Sequence, residues 1–159
     1  MNDEDLIAYL NDHLAGSVGA LELLAHMKKS AKEDDFRSFC SSLYNDIESD
    51  QAVLKGIISD LGEEEGAIKK AGVWLMEKGG WTRMAVAGVE KDGLGRLQAL
   101  EGLVLGITGK KGLWVALENI SELSPALNGL DIARLVARAE EQIERAEVER
   151  LKVVKAVFS

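Results

Sequence analysis

An all-α protein, a bundle of four long antiparallel helices joined in the middle by a long crossover carrying a short extra helix, is predicted by three features of the sequence. Apolar residues recur at steps of three and four over four long segments, as in helices that each bury one face. Leu, Ala, Glu, Lys and Arg are abundant and there is a single proline, a helix-forming bias. The connections are unequal: two short turns flank one long stretch, 63–92, which makes two helical hairpins linked by a crossover.

The first helix is predicted from Asp5 to Met27 by Leu6, Leu10, Leu14, Val18, Leu21 and Ala25. Ser30 and Glu33 have the spacing of a capping box ahead of the second helix. That helix carries Phe36, Phe39, Leu43, Ile47, Leu54, Ile58 and Leu61 and stops at Gly62. Within the crossover a short apolar helix is expected over 67–76, followed by Gly79-Gly80 and a weakly patterned run. The third helix starts near Leu94 and carries Leu97, Leu100, Val104, Ile107, Trp114 and Leu117, with Pro125 at or just beyond its end. The fourth starts near Asp131 and runs through Ile132, Leu135, Val136, Ala139, Ile143, Ala146, Val153 and Val157.

A chain of 159 residues with 47% apolar content is long enough for one well-filled core, so residues 1–159 are expected to form a single domain. The 19 basic and 27 acidic residues leave a net charge of −8, which repels a phosphate backbone and an anionic membrane alike. Neither nucleic acid nor a membrane is an expected partner. Cys40 is the only cysteine, so no intrachain disulfide forms, which fits a reducing compartment. The N-terminus, Met1-Asn2-Asp3-Glu4-Asp5, is acidic where a signal peptide is basic, and no uncharged apolar stretch approaches about 20 residues. A soluble, cytoplasmic protein is the expectation.

This layout, together with Leu6 to Met27 (LIAYLNDHLAGSVGALELLAHM) and Ala139 to Lys152 (AEEQIERAEVERLK), resembles uncharacterised bacterial members of the ferritin-like superfamily over nearly the whole chain. Helix order and length carry more of the resemblance than any residue signature. In metal-binding members a glutamate from each of two helices and a Glu-x-x-His from each of the other two converge in the bundle core. The resemblance places the acidic half of that pattern at Glu22, Glu48, Glu101 and Glu141 or Glu144. Both histidine positions depart from it: Gln51 follows Glu48 by three and Glu144 follows Glu141 by three. The only histidines, His13 and His26, are both on the first helix, where Glu22 and His26 are four apart.

Two functions follow from different classes. The first is a non-enzymatic ferritin-like bundle that self-associates as a homodimer and has a polar network where the metal centre stood; it assigns no catalytic residue and no cofactor. The alternative is a metal-binding stress-response or oxidoreductase-type protein in which Glu22, Glu48, Glu101, Glu144 and His26 hold iron or manganese. A third, a small-molecule carrier using the space between the helices, singles out no residue. Lys111, on the mixed stripe Leu97, Glu101, Val104, Thr108, Lys111 and Val115, either supplies a buried positive charge to the carboxylates or is a surface lysine.

Gly102, Gly106, Gly109 and Gly112 fall on one side of the third helix. They predict close packing on Ala15, Gly16, Gly19 and Ala20 of the first helix or, alternatively, a subunit interface. Phosphate-loop chemistry is excluded, because Val104 and Lys111 stand where that motif needs Gly and Ser or Thr. Asp92-Gly93-Leu94-Gly95 lacks the third glycine of a dinucleotide fingerprint. Cys40 reads as a packed thiol. Trp74, Met76, Trp81 and Met84 of the crossover either cap the bundle end or form a partner patch; the acidic flanks Glu63, Glu64, Glu65 and Glu90 argue against a membrane-surface helix.

Overall fold

Segments rich in helix formers and periodic in their apolar residues fold as long helices in a computed structural model, which describes residues 3–62, 73 and 93–159. The helices are α1 (Asp3–Ser30), α2 (Asp34–Asp60), α3 (Gly93–Asn119) and α4 (Ile132–Phe158). Each has 27 or 28 residues, about 40 Å of helix. Two short 3-10 turns, Ser121–Leu123 and Pro125–Leu127, connect α3 to α4. No strand occurs among the described residues, and none of their helices is long and apolar enough to cross a membrane. Of the expected crossover helix only Val73 is described; Trp74, Met76, Trp81 and Met84 lie outside the described residues.

The helix ends follow local chemistry. Asp3, Glu4 and Asp5 open α1 and Asp34 and Asp35 open α2, against the positive ends of their helix dipoles. Ser30 does not cap α2: it is the last residue of α1, where its hydroxyl donates to the Met27 carbonyl at 3.2 Å. Glu33 takes the N-cap position, because Ala31 is buried and holds the turn one step further on. Gly62 stops α2 with φ +94°, a left-handed conformation that suits glycine. At the start of α4 the Asp131 carboxylate accepts the Arg134 N–H at 3.0 Å.

Paired side chains give the helix directions. Arg96 lies 3.3 Å from Glu33 and stacks over the Phe36 ring, while Lys110 pairs with Asp50, so α2 and α3 run parallel. Arg145 pairs with Asp46 and Arg138 with Asp50, so α4 is antiparallel to α2. Gly62 and Gly93 therefore stand at opposite ends of the bundle, about 40 Å apart along its axis. The connection between them, apart from Val73, lies outside the described residues.

α1 packs closely on α2, and α3 on α4; the two hairpins meet through α1 with α3 and α2 with α4. One core fills the space between them, including Leu10, Leu14, Leu43, Ile58, Leu100 and Trp114. The α1 face differs in part from its expected stripe. Leu6, Leu10 and Leu14 are buried, but Val18 and Leu21 are half-buried, Ala25 is exposed, and the face continues through Ala15, Gly19, Leu23 and Met27. Each step of four overshoots a full turn by about 40°, so three in succession carry Val18 off the buried side.

Candidate functional site

Three otherwise apolar stripes each contain a polar residue at a core position. On α2 Asp50 follows Phe36, Cys40, Leu43 and Ile47; on α3 Lys110 follows Leu100, Leu103 and Ile107 and precedes Trp114; on α4 Gln142 lies between Ala139 and Ala146. Alternating steps of three and four keep each of them on the inward face.

These side chains meet at mid-bundle. Asp50 is 2% exposed and Gln142 1%. The Lys110 side chain is 14% exposed. Its ammonium donates to Asp50 Oδ2 at 2.6 Å and to Gln142 Oε1, and Gln142 Nε2 donates to the same Asp50 oxygen at 2.9 Å. The Arg138 guanidinium lies 3.3 Å from Asp50 Oδ1. Burial holds the Lys110 ammonium below the usual lysine range, because desolvation outweighs the attraction of Asp50.

α1 contributes at the same level. Gln51 Nε2 donates to Ser17 Oγ at 2.9 Å, and that hydroxyl donates to the Leu14 carbonyl at 2.6 Å. Each of the four helices thus places at least one polar side chain in a single layer. On the outer side of α2, Arg145 reaches Asp46 and donates to Ser42 Oγ at 3.0 Å. Long guanidinium side chains therefore bridge α2 and α4.

A cleft of about 330 Å³ opens between α1 and α3 onto this layer. Its walls include Ala20, Ile47, Leu54, Ile107, Leu113 and Trp114, and its polar lining includes His13, Ser17, Asp50, Gln51 and Lys110. Gly95, Ala99 and Gly102 of α3 are buried, whereas Gly106 and Gly109 line the cleft. The expected close packing of the glycine stripe on α1 is not seen over Gly106, Gly109 and Gly112. Gly16, Gly106, Gly109 and Gly112 are exposed, and no described atom lies within 4 Å of where a Cβ would stand. Burial lowers the His13 imidazole below its usual range, outweighing the opposing charge of Asp12. Trp114 is 1% exposed and its indole N–H has no hydrogen-bond partner among the described residues.

The residues proposed for metal are not brought together. Glu22, Glu48, Glu101 and Glu144 are exposed and His26 is half-buried. Among the described residues no three or more His, Cys, Asp or Glu side chains gather where they could hold a metal ion. Glu101 faces Arg150 at 3.8 Å. Lys111 is not the buried cation: it pairs with Glu140 at 2.7 Å at the partly exposed α3–α4 edge, and Lys110 occupies the core position. One residue is about 100° of helix rotation, enough to exchange inside for outside. The stripe Leu100, Leu103, Ile107, Lys110, Trp114 contained the signal that identifies Lys110, as did the gap between Ile47 and Leu54 for Asp50. Cys40 is a packed thiol, fully buried, with its pKa pushed up to about 12 by desolvation.

No family model matches the chain, and no curated protein and no solved structure matches it.

Proposed function

We propose that this is a ferritin-like bundle, non-enzymatic and self-associating, in which an ion-pair and amide layer stands where metal-binding members of that superfamily hold their ions. The observation that carries the reading is the Lys110 ammonium between Asp50 and Gln142. Ligand carboxylates of a di-metal centre converge from four helices onto the bundle axis. In this chain the four-helix layer instead contains a lysine, and its polar groups are engaged with one another: Lys110 with Asp50 and Gln142, Gln51 with Ser17. A cation fixed at that position opposes a second one by direct repulsion. The parallel course of α2 and α3, with a long connection between them, supports the same assignment.

Metal content tests this. Chelator-stripped protein is incubated with Fe²⁺, Mn²⁺ or Zn²⁺, freed of unbound ions and analysed for metal per chain. The reading expects no retention. Near-stoichiometric retention that Glu48→Ala and Glu101→Ala abolish would instead establish the metalloprotein alternative.

Self-association is supported by a second surface feature. Leu105 is 71% exposed beside the open glycines Gly106, Gly109 and Gly112, and Val115 is exposed further along α3. Glycines without a neighbour let a second helix approach closely. Sedimentation velocity is expected to show a dimer that Leu105→Glu dissociates; a monomer at every concentration overturns this part of the reading.

A further inference from the structure

A second groove runs between α1 and α2, near the turn that joins them, and its charge is opposite in sign to that of the whole chain. Its volume is about 680 Å³, within the range for pockets that take small molecules. Lys28 and Lys29 of α1 and Arg37 of α2 line it, and none of the described carboxylates does, in a protein whose net charge is −8. Leu24 and Ala25 give it an apolar part, and Ser41, Tyr44 and Asn45 supply hydroxyl and amide groups.

The carboxylates around the groove leave this charge in place. Asp34 pairs with the Arg37 guanidinium, which also donates to the Ala31 carbonyl at 2.9 Å, so two of its five N–H groups are engaged. Lys28 and Lys29 have no ion-pair partner among the described residues. Three cations against one carboxylate leave two positive charges. The dipole of α1 does not absorb them: its C-terminus carries about half a negative charge, and the N-terminus of α2 beside it carries the opposite half. In the turn, Glu33 pairs with Arg96 of α3, Lys32 is exposed, and Asp35 acts on Lys152 of α4. Glu22 and Glu48 stand outside the lining, three residues beyond Ala25 and Asn45 on the side away from the turn. Their charge repels an anion from that side and favours a seat between Lys28, Lys29 and Arg37.

We infer that the α1–α2 groove binds a small phosphate monoester, with its phosphate between Lys28, Lys29 and Arg37 and its organic part over Leu24, Ala25 and Tyr44. A phosphate monoester has its second pKa at about 6 and is a dianion at about pH 7.5, which matches the two positive charges; its oxygens also suit the guanidinium fork. Calorimetric titration of the full chain with phenyl phosphate, inorganic phosphate and phenol tests the inference. Phenyl phosphate is expected to bind saturably, at least tenfold more tightly than phenol, which lacks the charge, and than inorganic phosphate, which lacks the ring. The double variant Lys28→Gln/Lys29→Gln changes two exposed side chains. It is expected to keep its helicity by circular dichroism and to bind phenyl phosphate at least tenfold more weakly, whereas Lys155→Gln, exposed on α4, leaves the affinity unchanged. No saturable binding at millimolar phenyl phosphate, equal affinity for phenol or for inorganic phosphate, unchanged affinity in the folded double variant, or equal weakening by Lys155→Gln would each overturn the inference.

Discussion

Replacing Lys110 by methionine removes the charge and keeps most of the volume, so it isolates the ion pair from the packing. In the variant, Asp50 stays buried and retains Gln142 Nε2 at 2.9 Å and Arg138 at 3.3 Å, while Gln142 Oε1 loses its donor. Breaking a buried pair from one side costs about 3–5 kcal/mol. Arg138 compensates in part, which places the expected loss near the lower end, about 3 kcal/mol. With a urea slope of about 1–3 kcal/mol per molar, the midpoint should fall by about 1 M or more. Lys111→Met removes a pair with exposed Glu140 and should cost about 1 kcal/mol or less. The triple variant Asp50→Leu/Lys110→Met/Gln142→Leu replaces the whole layer by apolar side chains and releases Arg138 to solvent. It should match or exceed the wild type, because desolvating the lysine already opposes the attraction within the pair. Urea unfolding followed by circular dichroism measures all three. Lys110→Met and Lys111→Met losing equal stability would refute the placement of the buried charge.

Three further outcomes are expected. His13 is held neutral in the folded protein by burial, so its pKa lies below the unfolded value of 6.5. The stability it contributes is present above pH 6.5 and is lost as acidification proceeds through the folded pKa; His13→Gln should flatten the stability profile in that window, and an unchanged profile would contradict it. Glu33 and Glu147 are also depressed, and their stabilisation fades only below pH 4.5, so the loss between pH 6.5 and 4.5 is free of them. Cys40, with its pKa pushed up to about 12, should not react with a disulfide reagent at pH 8 until the chain is unfolded, when the single thiol should titrate fully. Gly109→Ala should raise stability by about 1 kcal/mol, since a methyl group there meets no described atom and alanine favours the helix; a destabilised variant would show that the site is occupied.

Helix existence, helix length and the asymmetry of the connections were legible in the residues, because each depends on local periodicity and on the positions of Gly62, Pro125 and Asp131. The acidic first turns of α1 and α2 and the stop at Gly62 are likewise local effects. The capping of α2 was less so: Ser30 has the right spacing for a capping box, but burial of Ala31 keeps Ser30 in α1 and shifts the cap to Glu33.

Rotation about each helix axis is where local reading lost precision, and the polar layer depends on it. A run such as Leu97, Glu101, Val104, Thr108, Lys111 looks helical in spacing, yet its neighbour Leu100, Leu103, Ile107, Lys110, Trp114 is the one buried against α1, α2 and α4. Both stripes satisfy a 3.6-residue period, so the choice rests on which face has three apolar partners to bury against. The same holds for the glycines of α3. Their common side was evident from spacing, but whether α1 covers that side depends on how the two hairpins dock. Gly102 is buried, whereas Gly106 and Gly109 stand beside an open cleft. Secondary structure here follows from propensity and periodicity along the chain; the buried lysine and the cleft beside it arise from packing between helices distant in sequence.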